Sequence, residues 1–175
     1  VSTAPEIVIC GLNPTGGPAV ASSGDGYLAI WYEPYAPRAR RLAPDGTPQG
    51  VSTGFEIADG SGGLVILSER WIGVAYAEPL GYVVVWHEHD TTPSQTAHVR
   101  ARLVRPFSDE VVGGQLTIAD DITDQEFPRI ACAPWGTCLV AYLDTDDIYA
   151  KMLRFDIFSA DFERGDTSEW SASNP

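Results

Sequence analysis

The chain repeats one segment three times at a constant spacing. The segments GYLAIWYE, GYVVVWHE and GTCLVAYLD begin at Gly26, Gly81 and Gly136, so that successive copies start 55 residues apart. Each copy places an aromatic residue five or six positions after its glycine, and an acid two positions after the aromatic. Self-similarity of this length is typical of proteins built from one repeated supersecondary unit.

Each repeat reads as short β-strands separated by turns. Apolar and polar residues alternate, β-branched and aromatic types dominate, and turns such as 44–46 and 134–136 divide the runs. We therefore predict an all-β, β-propeller-like fold of three four-stranded antiparallel blades of about 55 residues each. A stack of meander sheets or a β-sandwich is the structural alternative.

The repeated region lacks a strand at its C-terminal end and is preceded by an additional strand at the N-terminus. The third repeat has no clear fourth strand, whereas Glu6–Cys10 offers an additional strand at the N-terminus. Because propellers usually need four or more blades and open sheet edges favour association, we predict a homo-oligomer or polymer completed by strand exchange. A fragment of a longer ring is the alternative. The predicted repeat domain spans residues 1–158, and a C-terminal tail spans 159–175.

The charge of the chain restricts its partners. Eleven Lys and Arg residues against 24 Asp and Glu residues give a formal net charge of −13. This field repels nucleic acid and anionic membrane surfaces, and no apolar run approaches the roughly 18 residues that a membrane helix needs. We expect no nucleic-acid partner and no membrane insertion.

The cysteines favour an oxidising compartment. Cys132 and Cys138 flank APWGT, a loop that can close a β-hairpin and bring the two thiols opposite each other. We predict a disulfide between them; two buried thiols in a reducing compartment is the alternative. Cys10 is then a candidate for an intermolecular bond, with a buried thiol as its alternative.

Parts of the chain resemble a known family. WYE…ARRLAPDGTPQG and DIYAKML are similar to the blades of secreted bacterial β-propeller repeat proteins, which often read VVVWED…DIYARRLDADGTPLG. The resemblance covers residues 18–158, and unit two departs from it at HEHDTTPSQTAH. The tail IFSADFERGDTSEWS is similar to the segment FADGFESGDTSAWS of many secreted bacterial proteins. Both resemblances imply a secreted, extracellular or cell-surface protein.

The acid that follows each aromatic suggests cross-strand ion pairs. The next strand of each repeat carries an alanine followed by a base, and neighbouring strands can bring acid and base together. The expected pairs are Glu33 with Arg40, Glu88 with Arg102, and Asp144 with Lys151. A ring of carboxylates that binds calcium or a sugar is the functional alternative.

Two groups of residues are candidate metal ligands. His87 and His89 share a face of one strand, and a hairpin would place His98 opposite His89, which is a geometry that zinc accepts. Asp144, Asp146 and Asp147 are spaced as in small calcium loops. Exposed histidines and a solvated acidic turn are the alternatives.

These features favour a non-catalytic extracellular structural or adhesive protein that self-associates through completed blades. A carbohydrate-binding, lectin-like module is the first alternative, with Trp31, Trp86 and Tyr142 lining shallow glycan pockets. Strand alternation also allows these three rings to be core residues. A metal-dependent hydrolase that uses the histidine hairpin is the second alternative.

Overall fold

The computed structural model describes residues 6–10, 14, 16–33, 36–58, 71–89, 96–120 and 124–155. The strands in this part of the chain are β1 (Ala19–Ser22), β2 (Tyr27–Tyr32), β3 (Pro37–Leu42), β4 (Phe55–Glu56), β5 (Ile72–Ala77), β6 (Gly81–His89), β7 (Ala97–Val104), β8 (Val111–Ala119), β9 (Gln125–Ala133), β10 (Thr137–Asp144) and β11 (Asp147–Arg154). The described residues form no helix, which confirms the all-β prediction. The predicted tail, 159–175, lies outside the described residues.

The strands form three antiparallel sheets, and each sheet follows the order of the chain. Sheet 1 contains β1 to β4, sheet 2 contains β5 to β8, and sheet 3 contains β9 to β11. Sheets 1 and 2 thus have the four strands that were predicted for each repeat, and the described part of sheet 3 has three. The first strands of successive sheets lie against each other, β1 against β5 and β5 against β9.

The three sheets share one register between their second and third strands. In each sheet the repeated aromatic residue of the second strand lies opposite the residue that precedes the alanine of the third strand. These pairs are Trp31 with Arg38, Trp86 with Arg100, and Tyr142 with Tyr149. The sequence repeat is therefore also a repeat of strand pairing.

The hydrophobic core lies between the sheets in two layers. The first layer joins sheets 1 and 2, and its fully buried side chains include Leu28, Ile30, Tyr82, Val84 and Trp86. The second layer joins sheets 2 and 3, and it includes Val83, Val85, Val99, Cys138 and Val140. Because side chains alternate along a strand, β6 contributes its even positions to one layer and its odd positions to the other. Both faces of sheet 2 are consequently covered.

The predicted disulfide is present. Cys132 on β9 lies directly opposite Cys138 on β10, and the two sulfurs are bonded across the turn that Pro134, Trp135 and Gly136 form. The cross-link therefore ties the first hairpin of sheet 3.

No helix in the described part of the chain combines the length and the apolar character that crossing a membrane requires.

Glycine is required where the second strand of a sheet begins. Gly81 has a φ of +134°, and a Cβ at this position would collide with the backbone carbonyl of Val104 on the neighbouring strand. Gly26 repeats this arrangement in sheet 1, with a φ of +156° and the carbonyl oxygen of Leu42 only 2.6 Å from the Cβ position. The repeated glycine thus allows close approach of the two strands.

Replacing this glycine should destabilise the fold. We expect Gly81→Ala to lower the free energy of unfolding by about 1–3 kcal/mol, because the added methyl group strains the backbone and meets a carbonyl that cannot move away. Urea denaturation measures the change. Gly114→Ala on β8 is the matched control, since a Cβ there meets nothing within 4 Å. Equal losses in the two variants would contradict the steric explanation.

Candidate assembly interface

A buried tryptophan and an acid on one strand face form the first repeated contact. The indole N–H of Trp31 donates to Glu33 Oε1 at 3.2 Å, and that of Trp86 donates to Glu88 Oε2 at 3.4 Å. Residues two apart on a strand point to the same side, so the spacing in the sequence is what allows this bond. Burial of each indole is thereby matched by an acceptor for its N–H group.

Each of these acids also contacts an arginine on the next strand. Arg38 Nε lies 3.6 Å from Glu33 Oε2, and Arg100 Nε lies 2.7 Å from Glu88 Oε1. The second pair is half-buried, and Gln115 Nε2 donates to the same Glu88 oxygen at 2.9 Å. The repeated carboxylates are therefore held in structural contacts with a tryptophan and an arginine.

The predicted ion pairs named different bases, and the structure does not bring those residues together. The registers place Arg40 opposite Ala29, Arg102 opposite Val84, and Lys151 opposite Val140. Each base is therefore level with a residue four positions before the acid, which is about 13 Å along the strand. The acid's partner in sheets 1 and 2 is instead the arginine two residues earlier, because the hairpin register brings that residue level with the tryptophan.

In each sheet the base that follows the alanine of the third strand donates a hydrogen bond to a backbone carbonyl that precedes the sheet in the chain. The bonds are Arg40 Nη1 to the Ile9 carbonyl at 2.8 Å, Arg102 Nη1 to the Ile57 carbonyl at 2.7 Å, and Lys151 Nζ to the Ile118 carbonyl at 2.9 Å. Ile57 directly follows β4 of sheet 1, and Ile118 lies in β8 of sheet 2. For Arg102 and Lys151 this inter-sheet hydrogen bond links the third strand of one sheet to the outermost strand of the previous sheet, or to the residue directly after it.

The hydrogen bond between Arg40 and the Ile9 carbonyl shows where the N-terminus lies. Residues 6–10, called here the N-terminal segment, lie against sheet 1 through Ile9 in the way that β4 lies against sheet 2 and β8 against sheet 3. The local sequences agree, since IVIC, FEIA and LTIA each place the bonded isoleucine third. The N-terminal segment thus occupies the position of the outermost strand of a preceding sheet. Cys10, the candidate for an intermolecular disulfide, is half-buried at its end.

At the other end of the described chain, sheet 3 has an exposed apolar face. Leu139, Ile148 and Met152 form what we call the outer face of sheet 3, and they are 47%, 81% and 54% exposed. The positions that correspond to Leu139 in the first two sheets are Leu28 and Val83, which are fully buried beneath the next sheet. The outer face of sheet 3 therefore carries exposed apolar side chains, although the positions equivalent to Leu139 are buried in the first two sheets.

The edge of sheet 3 borders an open cleft. The cleft has a volume of about 510 Å³ and is lined by β8 residues 112–116 and by residues 152–155 at the end of β11, together with Leu80 and Leu103. Seven of the eight residues of β11 are exposed. Strand β11 is therefore the accessible edge of the described part of sheet 3.

The three histidines do not converge on one site. His98 lies opposite Glu88 rather than opposite His89, and this offset by one residue puts it on the other face of sheet 2 from His87 and His89. The rings of His87 and His89 pack edge to face at 5.3 Å, whereas His98 Nδ1 lies 2.9 Å from Asp120 Oδ1. The predicted zinc geometry is not formed.

The predicted calcium loop is a tight turn. Asp144 pairs with Asp147 as the last pair of the β10–β11 hairpin, and Asp146 lies in the two-residue turn between them. Within the described ranges, no group of three or more His, Cys, Asp or Glu side chains is placed to hold a metal ion.

The rings proposed for glycan binding are mostly in the core. Trp31 and Trp86 are 3% and 0% exposed, and Tyr142 is half-buried and stacks on Tyr149 with 6.2 Å between ring centroids. Both indoles are enclosed by protein, so neither offers a flat surface to a sugar.

Sequence reasoning missed the arginines that contact the acids. The signal for them is the repeated triplet Arg-Ala-Arg at 38–40 and 100–102, in which two bases of the same strand face serve two different partners. It also missed the outer face of sheet 3, because exposure of Ile148 and Met152 depends on how the sheets stack.

Removing an inter-sheet hydrogen bond should cost stability. We expect Arg102→Met to lower the free energy of unfolding by about 1.5–3 kcal/mol, since its guanidinium donates to the carbonyls of Ile57 and Gly113, which would both lose a charged donor. Arg105→Met is the matched control, because its ion pair with Glu110 is more than half exposed and is worth about 0–1 kcal/mol. Comparable effects in urea denaturation would contradict the structural role of Arg102.

Comparison with protein-family models, with curated proteins and with solved structures found no match to this chain.

Proposed function

We propose that this chain is a non-catalytic structural or adhesive protein of the extracellular space, which self-associates by completing propeller-like β-blades between copies. The observation that carries the proposal is the contrast between sheet 3 and its two structural equivalents. Positions that are fully buried between sheets 1 and 2, and between sheets 2 and 3, are exposed on the outer face of sheet 3.

An accessible strand edge beside an apolar face favours association. The backbone groups on the open side of an edge strand can pair with another strand, and exposed apolar side chains gain about 25 cal/mol for each Å² that a partner removes from water. Strand β11 and the outer face of sheet 3 combine the two features in one place. A second chain that supplies both a strand and an apolar sheet face satisfies them together.

The N-terminal segment supports the same proposal from the other end of the chain. Residues 6–10 form no strand within the chain, contrary to the prediction for Glu6–Cys10, but they contact sheet 1 through the Ile9 carbonyl, and Val8 is 78% exposed. Addition of such a segment to a sheet edge is a common mode of protein association, in which main-chain hydrogen bonds provide affinity. The chain therefore carries both an edge that accepts a strand and a segment that can provide one.

An extracellular location is supported by the disulfide, since such bonds persist mainly in oxidising compartments. The structural role is supported by the use of the repeated polar side chains. The carboxylates of Glu33 and Glu88 hold tryptophan and arginine side chains, and Arg40 and Arg102 hold backbone carbonyls.

Charged substitutions on the outer face of sheet 3 should prevent association. We expect Ile148→Glu combined with Met152→Glu to weaken self-association by more than about 100-fold, because an interface would have to desolvate two carboxylates. Light scattering over a concentration series measures the mass of the native protein and of this variant. Phe107→Glu is the control, as Phe107 is 71% exposed in the loop before β8. A monomeric native protein at all concentrations would overturn the proposed function.

A further inference from the structure

We propose that two copies of this chain close head to tail into a ring of six sheets, in which the N-terminal segment of each copy becomes the fourth strand of the other copy's sheet 3. This inference rests on the proposed function and adds to it the partner, the number of copies and the register of the added strand. Three independent features of the structure carry it.

The first feature is the register that the internal repeats impose. Each isoleucine whose carbonyl accepts the inter-sheet hydrogen bond is preceded by two residues that pair with the third strand. The earlier of the two pairs with the alanine of that strand. The later one pairs with the residue before that alanine. The pairs are Phe55 with Ala39, Leu116 with Ala101, Glu56 with Arg38, and Thr117 with Arg100. In the N-terminal segment these two residues are Ile7 and Val8. They therefore pair with Ala150 and Tyr149 of the other copy.

The second feature is the part of sheet 1 that stays exposed on the side away from sheet 2, where Ala29 and Trp31 are themselves buried. Tyr82 in sheet 2 is 1% exposed because sheet 1 covers it, whereas Tyr27, the corresponding residue of sheet 1, is 38% exposed. Val20 lies opposite Ala29 on the same face and is 61% exposed. The outer face of sheet 3 corresponds to the face of sheet 1 that covers Tyr82. Sheet 3 of one copy therefore fits on sheet 1 of the other as sheet 1 fits on sheet 2.

The added strand and the docked sheet face are compatible with each other, because the internal repeats combine the same two contacts. Within the chain, β4 pairs with β3 of its own sheet while the adjoining Ile57 carbonyl accepts the bond from Arg102 of the next sheet. The N-terminal segment already makes the second of these contacts, through the Ile9 carbonyl and Arg40. Docking of sheet 1 on the partner's sheet 3 thus brings the segment to β11 already positioned.

The third feature is the number of sheets. Closed propellers typically contain four to eight sheets. Whole copies of a chain with three sheets provide three, six or nine, and of these totals only six lies within that range. Two copies also have the symmetry that is commonest among soluble oligomers. A two-copy ring covers the outer face of both third sheets, the open face of both first sheets and both β11 edges.

Engineered disulfides test the register and the closure together. Val8→Cys and Tyr149→Cys are introduced into the full chain in a Cys10→Ser background, so that the native thiol cannot take part. Directly opposed residues in an antiparallel pair have Cα atoms about 4.5–5.5 Å apart, which suits a disulfide. We expect oxidation to convert most of this variant into a covalent dimer on non-reducing gels, with no larger species. Light scattering of the native protein should give twice the 18.9 kDa chain mass.

The control variant carries Val8→Cys with Met152→Cys, whose side chain lies on the other face of β11 and three residues away. Dimer formation in the control but not in the test variant would overturn the register. A ladder of covalent trimers and larger species would overturn ring closure while leaving self-association intact. A disulfide within single chains would overturn exchange between copies. A native monomer that forms no cross-link between chains would overturn both this inference and the proposed function.

Discussion

The hydrogen bond from a basic side chain of the third strand to a backbone carbonyl earlier in the chain is the interaction on which the arrangement of the sheets depends. It occurs at Arg40, Arg102 and Lys151, always to the carbonyl of an isoleucine. A charged donor to a neutral carbonyl is stronger than a bond between two neutral groups. Because one partner belongs to the backbone, the bond positions an entire strand end. It therefore sets where each outermost strand lies against the next sheet.

The two arginines of each Arg-Ala-Arg triplet make different contacts. The first arginine, Arg38 or Arg100, contacts the carboxylate that also accepts the bond from the buried indole. The second arginine reaches across to the previous repeat. Sheet 3 keeps the second base as Lys151 and replaces the first by Tyr149, which stacks on Tyr142. Aromatic stacking there takes the place of the ion pair, while the inter-sheet hydrogen bond is retained.

Repeat architectures bury their core only between neighbours, so the end units need protection. Many repeat proteins end in units with a polar outer face. In this chain the end units keep the apolar residues of the interior, at Val20 and Tyr27 on one side and at Ile148 and Met152 on the other. Each end therefore exposes apolar residues at positions that belong to an internal interface elsewhere in the chain.

The sequence by itself determined the elements of this protein. Alternation of apolar residues predicted the strands, the constant spacing of Gly26, Gly81 and Gly136 predicted three equivalent units, and the loop between Cys132 and Cys138 predicted the disulfide. Only the tertiary structure decided which side chains meet. An offset of one residue in the hairpin register places His98 on the opposite face of its sheet from the other two histidines. The registers also place the acids in contact with Arg38 and Arg100, and not with Arg40 and Arg102. The physical reason is that alternation assigns residues to two faces within a strand, whereas contacts between strands depend on register and sheet stacking, which the whole set of packed neighbours determines.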